Sequence, residues 1–394
     1  MSERNEPRLD GLRALVVGGG IGGLTLARAL ALRGARVRVL EQAGAIAEVG
    51  AGLQISPNGA VVLRALGLEE ALIAAGAVRG RAVQLCDHHG REVTRLDLTR
   101  QGGAYYQVHR ADLIGVLEAG ARAAGVEIEL GAEVADVADG PEPVVTLAGG
   151  GERRADLVIG ADGVHSRLRA VLNGTEAPFF TGHVAWRAVI PNDLGLGPVS
   201  RVHMGPGRHV VSYPLRGESL INVVAVEERR GWIAESWSQR DEPANLRAAF
   251  ADFGAPVQEM LARVETCHLW GLFRHEVAQN WHGEGVALLG DAAHPTLPFM
   301  AQGAVMAIED AWVLADALAR AGTLGEGLAA YRQRRFARVQ RVVNTATDNA
   351  WKYHMKFPPL RFVAHNVLRL SGKVRPDMML RQFDWLYGHD VTAG

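Results

Sequence analysis

The pattern of apolar and polar positions is clearest between residues 13 and 41. Residues 14–17 form a short apolar run that predicts a buried strand, and the apolar spacing of residues 24–32 predicts a helix. Residues 36–40 alternate in polarity and predict a second strand, which ends at Glu41. The segment therefore predicts a strand, a turn, a helix and a second strand in direct succession.

The rest of the chain divides into a mixed region, a strand-rich region and a helical end. Between residues 186 and 228, short β-rich runs are separated by Gly, Pro and Asn, which predicts an inserted sheet. A buried-type strand at residues 155–160 is followed by a helix start that Ser166 can cap. The other predicted elements are a strand pair at 81–98, strands at 126–130, 269–277 and 286–289, and helices at 57–66, 110–124, 243–253, 256–264, 302–321 and 328–355.

Glycines fill the turn between the first predicted strand and helix, where residues 18–23 read Gly-Gly-Gly-Ile-Gly-Gly. Glycines there permit unusual backbone angles, let the backbone approach a pyrophosphate and let the helix pack closely on the strand, while the helix N–H groups face the phosphates. Glu41 lies 23 residues after Gly18, which suits an acid that accepts a hydrogen bond from a ribose hydroxyl and repels a 2′-phosphate. A turn without a ligand is the alternative, but strand, helix and acid together favour a nucleotide.

Composition narrows the class of protein. The 394 residues carry 42 Lys and Arg against 43 Asp and Glu, so no overall field favours nucleic acid or an anionic membrane. The two cysteines, Cys86 and Cys267, have no CxxC spacing, and the histidines do not pair with Cys or Asp at ligand spacing, so we expect neither a disulfide framework nor a metal. The polar N-terminal segment and the absence of a long apolar run predict no membrane span and a cytoplasmic protein.

Three separated segments, residues 18–23, 160–163 (Gly-Ala-Asp-Gly) and 290–298 (GDAAHPTLP), together resemble the FAD-binding fingerprints of the single-component flavin-dependent aromatic hydroxylases. The text at 49–59, 209–217 and 300–311 is most similar to the salicylate and 3-hydroxybenzoate hydroxylases. This resemblance implies noncovalent FAD, with NADH or NADPH as co-substrate. The cofactor-binding residues that it implies are Gly18, Gly20, Ile21, Gly22, Gly23, Glu41, Arg110, Asp162, Asp291, Gln302 and Gly303.

The resemblance also implies an α/β fold: a Rossmann-like FAD-binding domain with an inserted β-sheet substrate domain and C-terminal helices. Its expected boundaries are 10–80, 100–180 and 280–330 for a discontinuous FAD-binding domain, 81–99 and 181–279 for the substrate domain, and 331–394 for the helical region. The loop at 49–58 is as consistent with an ordinary connection as with a wall of the cofactor site.

The implied reaction is hydroxylation of a phenolic aromatic acid through a C4a-hydroperoxyflavin, which needs a dry pocket and a base for the phenol. Residues 297–300 supply apolar surface, and the helix start at Gln302 and Gly303 supplies N–H groups for a reduced flavin. His209 and Tyr213 share one face of a predicted strand, and the resemblance assigns them, with Gln302, to catalysis. Arg187 is either a carboxylate clamp or an ion-pair residue.

Other functions remain open at this point. The same fold could act on a non-phenolic or N-heteroaromatic ring, where His209 would be incidental; an NAD-dependent dehydrogenase would leave Asp291 unexplained; a silent flavoprotein would bind FAD without turnover. The expected partners are a small aromatic substrate, NAD(P)H and O2, with a homodimer as a further expectation. No second GxGxxG unit is present, so we expect NADH to dock transiently, and the preference for NADH over NADPH stays open.

Overall fold

A computed structural model describes residues 8–46, 51–100, 102–231, 239–374 and 380–393. The N-terminal residues 1–7 and the loop residues Val49 and Gly50, which entered the sequence argument, lie outside these ranges. The described elements are labelled below in chain order.

The predicted nucleotide unit forms the centre of a five-stranded parallel sheet, ordered β19-β12-β1-β2-β8. Its inner strands are buried on both sides, because helices cover both faces of a parallel sheet. The strands are β1 (Arg13–Val17), β2 (Arg36–Glu41), β8 (Glu127–Leu130), β12 (Leu157–Gly160) and β19 (Val286–Leu288).

The second large sheet has eight strands, in the order β17-β18-β13-β16-β15-β14-β5-β6. Only the β14–β5 pair is parallel among its described pairings. The strands are β5 (Ala82–Asp87), β6 (Glu92–Asp97), β13 (Phe179–Pro191), β14 (Val199–Gly205), β15 (Arg208–Leu215), β16 (Leu220–Glu228), β17 (Arg240–Asp241) and β18 (Cys267–Arg274).

Two small antiparallel sheets complete the strands. One joins β3 (Gly52–Ile55), β7 (Tyr106–His109) and β4 (Val78–Arg79); the other joins β9 (Val134–Ala138), β10 (Val144–Leu147) and β11 (Glu152–Arg154). The helices are α1 (Ile21–Ala31), α2 (Pro57–Ala65), α3 (Glu69–Ala74), α4 (Arg110–Ala123), α5 (Arg167–Asn173), α6 (Pro243–Ala249), α7 (Ala255–Ala262), α8 (Gly303–Arg320), α9 (Leu324–Tyr353), α10 (Pro358–Val374) and α11 (Asp384–Tyr387). Single 3₁₀ turns occur at Leu98–Arg100, Gly290–Ala292 and Pro298–Met300.

The large sheet presents one face to helices and the other to a cavity. Val210, Val223 and Ala225 point to the helical side, where they pack in one buried cluster with Phe250 of the α6 C-terminus and Leu261 of α7. Residues one position along each strand point the opposite way because side chains alternate across a strand. The cavity therefore lies between this sheet and the parallel sheet.

The predicted fold class is confirmed, whereas several predicted boundaries move: the helix predicted at 243–253 ends at Ala249, and the strand predicted at 269–277 runs from Cys267 to Arg274. The predicted helix at 328–355 begins four residues earlier, at Leu324, because Thr323 and Glu326 form a reciprocal capping box. Gly325 and Gly327 had weakened the helical pattern there. The domain boundaries stay a prediction.

Candidate active site

The glycines of the β1–α1 turn have two different physical roles. A methyl group at Gly18, whose φ is +106°, would collide with the carbonyl oxygen of Ala161, and one at Gly23 would collide with the carbonyl oxygen of Gly18. Gly22 faces Leu289 with a separation of 2.5 Å from a would-be Cβ, so this glycine lets α1 pack against its neighbours. A methyl group at Gly20 would meet nothing within 4 Å, and that position opens into the cavity.

The first turn of α1 is available for an anion. Gly20 is the N-cap, no side chain caps the helix, and the first turn has no acidic residue. Because the first N–H groups of a helix lack internal partners, they are ready donors for phosphate oxygens. Gly18, Gly20, Ile21 and Gly22 line the cavity, whereas Gly23 acts through packing.

Two acids predicted for the cofactor lie at the same end of the cavity. Glu41 accepts hydrogen bonds from Gly19 N (2.7 Å) and Ala43 N (2.9 Å), which fixes its carboxylate at the cavity wall. Asp162 accepts from Arg167 N at 2.9 Å, while its other oxygen, Oδ1, is buried without a partner in the described residues. A buried acceptor without a donor fits a site completed by a ligand.

Arg110 and Asp291, two further residues predicted for the cofactor, also line the cavity. Arg110 is the first residue of α4, where its backbone N–H donates to Ala51 O at 2.9 Å, and its side chain lines the cavity. Asp291 lies in the 3₁₀ turn after β19 and is exposed to the cavity. Desolvation by the surrounding walls raises the pKa of Asp291, while His294 and Arg110 oppose that rise.

A buried ion cluster, which the sequence reasoning missed, holds the Asp291 turn in place. Asp310 of α8 contacts His294 Nε2 (2.5 Å), Gly290 N (3.2 Å) and Arg335 Nε (2.6 Å). Glu309 pairs with the same arginine at 2.6 Å and with Arg338 at 2.8 Å. Burial of so many charges costs free energy unless each is paired, so this cluster fixes the turn in one geometry. His294 therefore has a structural role in this turn.

The cavity has a volume of about 1540 Å³, large enough for a dinucleotide and a small substrate. His209, Val211 and Tyr213 of β15 line it, as their shared strand face predicted. Leu297 and Phe299 also line it, and the rings of His209 and Phe299 meet edge to face at 5.4 Å between centroids. The wall near His209 is thus mainly apolar.

Tyr213 and Arg187 provide polar groups on the same sheet face. Tyr213 is buried, which raises the pKa of its hydroxyl, so it acts as a neutral donor or acceptor. The backbone of Gly52 approaches Tyr213 and Asn222 so closely that a side chain there would collide with both. Gly52 is therefore needed for packing against these two side chains. Arg187 lines the cavity with its guanidinium over the Trp270 ring, 4.5 Å from the centroid.

His209 is linked to a second histidine that the sequence reasoning did not identify. Its Nδ1 lies 2.6 Å from His354 Nε2, and His354 Nδ1 lies 3.0 Å from Glu228 Oε1. Glu228 Oε2 is in turn 2.5 Å from Lys356 Nζ. Burial lowers the pKa of His209 well below its usual value, and His354 and His183 act in the same direction. His209 is therefore neutral at neutral pH.

Gln302 is the N-cap residue of α8, as the predicted helix start implied, and its side chain belongs to a buried polar network. Its side chain is buried behind the cavity wall, where its amide donates to Ser56 Oγ at 3.0 Å and accepts from Asn58 Nδ2 at 3.2 Å. Asn58 also donates to Glu309 at 2.7 Å, which ties Gln302 to the buried ion cluster. Direct contact between the Gln302 side chain and a cavity ligand is not supported in this geometry. Gly303, the next residue, begins α8 and lines the cavity.

One group of side chains in the described ranges has metal-ligand geometry. Ligand atoms of His183, Glu228 and His354 lie within 4.8 Å of one another. These side chains already make other contacts: His183 Nδ1 contacts Thr181 O at 2.8 Å, His354 Nδ1 contacts Glu228 Oε1 at 3.0 Å, and Glu228 Oε2 pairs with Lys356 Nζ. The expectation of no metal stays a prediction. Within the described ranges, no helix is both long and apolar enough to cross a membrane.

Comparison with known proteins agrees with this geometry. The model of the FAD binding domain family matches residues 12–346. The chain is 36% identical to 3-amino-4-hydroxybenzoate 2-monooxygenase PtmB3 of Streptomyces platensis, over 98% of this chain and 97% of that protein. It is 34% identical to 3-hydroxybenzoate 6-hydroxylase of Klebsiella oxytoca, over 96% of each chain.

A similar solved structure is that of a salicylate hydroxylase substrate complex, with a TM-score of 0.81, 24% identity and 96% of each chain covered. At this identity the likeness concerns the fold alone. It places the same arrangement of a parallel sheet, a large second sheet and C-terminal helices in a protein of known structure.

Proposed function

Because the chain belongs to the family of FAD-dependent aromatic-ring monooxygenases, we propose that it hydroxylates a phenolic aromatic acid, using NAD(P)H and O2. The observation that carries this proposal is the position of His209, a neutral buried imidazole on an apolar cavity wall beside Tyr213 and Arg187. A phenol with a carboxylate fits a wall that offers one base, one hydroxyl and one cation.

The cavity residues around the β1–α1 turn would hold the FAD. The N–H groups of the α1 first turn would bind the pyrophosphate beside Gly20, and Glu41 would accept from a ribose hydroxyl. Arg110, Asp162 and Asp291 would bind the phosphates and the ribitol chain. When bound, FAD supplies hydride acceptance from NAD(P)H and activation of O2.

His209 would serve as the base for the phenol. Its lowered pKa keeps the ring neutral, so a nitrogen lone pair is available to share or remove the phenolic proton. Within the described residues its Nε2 makes no hydrogen bond, while the ring lines the cavity. An electron-rich ring next to this nitrogen would be the one that receives oxygen.

Tyr213 and Arg187 would orient the substrate. The Tyr213 hydroxyl, kept protonated by burial, can donate to the carboxylate or to the phenol oxygen. Arg187 can bind a carboxylate with two parallel hydrogen bonds, and its stacking on Trp270 fixes the plane of the guanidinium. Gln302 would act without touching the substrate, because its side chain holds Ser56 and Asn58 beneath the start of α8.

The apolar segment Leu297–Met300 would exclude water from the reacting ring. Leu297 and Phe299 pack with Trp270 and Leu272 of the sheet in one buried cluster. A dry site strengthens the interactions of the substrate with His209 and Arg187 and prevents side reactions of the activated oxygen.

We also propose a cytoplasmic location and a homodimer. Both cysteines are buried free thiols, which suits a reducing compartment. Exposed apolar side chains of α10, including Phe362 and Leu370, support contact with another copy. Sedimentation equilibrium of the holoenzyme would give twice the chain mass if this is correct and the single chain mass of 42.3 kDa if it is not.

The test of the function is an absorption spectrum of the purified protein followed by NADH and NADPH oxidation with a panel of hydroxybenzoates, aminohydroxybenzoates and hydroxypyridine carboxylates. We expect a yellow protein whose NAD(P)H oxidation is stimulated by a hydroxybenzoate and yields a hydroxylated product. A colourless protein would contradict the cofactor assignment. A yellow protein that is stimulated by none of the phenolic acids would contradict the substrate class.

A further inference from the structure

A line of three side chains connects the cavity wall to the protein surface behind His209. His209 belongs to β15, His354 follows the last residue of α9, and Glu228 ends β16. The separations along this line are 2.6 Å from His209 Nδ1 to His354 Nε2 and 3.0 Å from His354 Nδ1 to Glu228 Oε1. Both ring nitrogens of His354 therefore make hydrogen bonds, Nε2 with His209 and Nδ1 with Glu228.

Burial decreases along the line. His209 and His354 are each 2% exposed, whereas the Glu228 side chain is 31% exposed and Lys356, its ion-pair partner, is 67% exposed. A proton at the cavity wall would reach solvent through these groups without crossing the cavity. The backbone holds the geometry, because Gly207 N, in the β14–β15 turn, donates to His354 O at 3.1 Å.

The acceptor at the outer end fixes the direction of every hydrogen bond in the line. An ionised carboxylate only accepts, so His354 Nδ1 carries a hydrogen and His354 Nε2 presents a lone pair. That lone pair accepts from His209, so His209 Nδ1 carries a hydrogen and His209 Nε2 presents its lone pair to the cavity. Glu228 thereby sets the tautomer in which His209 can act as a base.

We propose that His354 and Glu228 are positioning and proton-transfer residues for His209, forming a path by which the phenolic proton leaves the cavity. This inference rests on the proposed function, in which His209 is the base.

The transfer balances as one proton in and one proton out. The phenolic proton forms a bond to His209 Nε2, and the hydrogen on His209 Nδ1 passes to His354 Nε2. The hydrogen on His354 Nδ1 passes to Glu228, which releases it to solvent. No electrons are gained or lost, both imidazoles end neutral, and His209 then donates Nε2–H to the phenolate.

The surroundings disfavour a proton that stays on either ring. Burial lowers the pKa of His354 to about 4, although Glu228 opposes the change. Desolvation raises the pKa of Glu228, but Lys356 and His354 outweigh it, so the carboxyl is ionised and sheds a proton readily. The other groups that face the pair are His183, whose ring centroid lies 5.5 Å from that of His354, and Tyr353, at 5.4 Å from that of His209.

Two substitutions at one position separate transfer from orientation. In His354→Gln, the amide oxygen can accept from His209 Nδ1 and the amide NH2 can donate to Glu228, so orientation is kept while proton transfer is lost. His354→Ala removes both. His89→Gln, at an exposed histidine of the β5–β6 turn, is the matched control.

For His354→Gln we expect unchanged FAD content and NAD(P)H oxidation within about threefold of wild type. Its yield of hydroxylated product per NAD(P)H should fall at neutral pH and recover at a pH that ionises the phenol. A positioned base is worth about 10² to 10⁴ in rate, so loss of its proton outlet should slow single-turnover hydroxylation at least tenfold. Coupling is this yield of hydroxylated product per NAD(P)H oxidised. If His354→Gln kept the wild-type coupling and pH profile while His209→Ala lost coupling, the path would be overturned and His209 would remain the base. Wild-type coupling in both variants would overturn the path and the base together.

A second readout does not depend on turnover. Imidazole ¹⁵N NMR of histidine-labelled holoenzyme, with signals assigned by their loss in His209→Ala and His354→Gln, reports the tautomer of each ring. We expect hydrogen on Nδ1 of both rings in wild type and a shift toward Nε2–H on both in Glu228→Gln, whose amide can donate. An Nε2–H form of His209 in the wild-type enzyme would overturn the inference.

Discussion

The same substitution, Gly→Ala, should affect different properties at two glycines of the β1–α1 turn: stability at Gly23 and FAD binding at Gly20. At Gly23 the added methyl would meet a backbone carbonyl, that of Gly18, which cannot rotate away. At Gly20 the methyl would meet no protein atom within 4 Å, and the backbone angles of φ −78° and ψ −173° suit alanine. The first change thus strains the fold, whereas the second occupies the space we assign to the pyrophosphate.

The magnitudes follow from these contacts. Overpacking against well-packed atoms costs about 1 to 3 kcal/mol, and the rigid contact at Gly23 puts this variant at the upper end. Gly20→Ala loses only the advantage of glycine over alanine at an N-cap, about 1 kcal/mol or less. For FAD, displacement of one charge-assisted hydrogen bond at the pyrophosphate is worth roughly 1.5 to 3 kcal/mol, or about tenfold to a hundredfold in affinity.

Urea unfolding of the apoproteins and FAD titration of the folded ones would measure the two effects separately. Gly115→Ala in α4, where an added methyl also meets nothing within 4 Å, is the control and should leave FAD affinity unchanged. Wild-type FAD affinity in Gly20→Ala would refute the placement of the pyrophosphate. An apoprotein loss of stability in Gly20→Ala equal to that of Gly23→Ala would refute the reading of the turn.

Three further predictions concern the cofactor and the buried charges. Asp291→Ala should keep the fold but weaken FAD binding about tenfold to a hundredfold in a titration of the apo-variant, and unchanged affinity would remove Asp291 from the site. Acid denaturation should release the yellow colour from the precipitated chain, because the proposed contacts are noncovalent; colour that stays with the polypeptide would show a covalent link. Desolvation raises the pKa of Asp310, but His294 and Arg335 outweigh it and lower it to about 2, so its contribution to stability is present above about pH 4 and is lost as the pH falls through 2. The free energy of unfolding, measured by urea titration at several pH values, should therefore fall by roughly 2 kcal/mol between about pH 4 and pH 2 in wild type because this contribution is lost, and Asp310→Asn should lack this part of the fall. The same pH dependence in wild type and Asp310→Asn would contradict the prediction.

Local pattern was sufficient for the nucleotide unit because its strand, turn, helix and acid are consecutive. The face of β15 was equally predictable, since a two-residue period alone puts His209 and Tyr213 on one side. The start of α9 was not, because the capping box outweighs two glycines whose low helix propensity dominates the local pattern.

The partners of the site residues come from distant parts of the chain and leave no local signal. His354 meets His209 across 145 residues, and Asn58 meets Gln302 across 244. Gln302 lies at the expected point in the chain, yet its side chain turns toward Ser56 and Asn58, with which it shares a buried hydrogen-bond network. A lone histidine after a long basic helix carries no pattern that marks it as a neighbour of the cavity.

The most direct test of the account is the fate of oxygen in wild type and His209→Ala, measured as hydroxylated product and hydrogen peroxide formed per NAD(P)H under ¹⁸O2. Hydride transfer needs no phenolate, whereas oxygen transfer needs an activated ring. We predict that wild type incorporates ¹⁸O into nearly one product per NAD(P)H. His209→Ala should retain FAD and most of its substrate-stimulated NAD(P)H oxidation, yet release most of the oxygen as peroxide, with partial recovery of product at higher pH. Stoichiometric product from His209→Ala at neutral pH would contradict the assignment of His209 as the base.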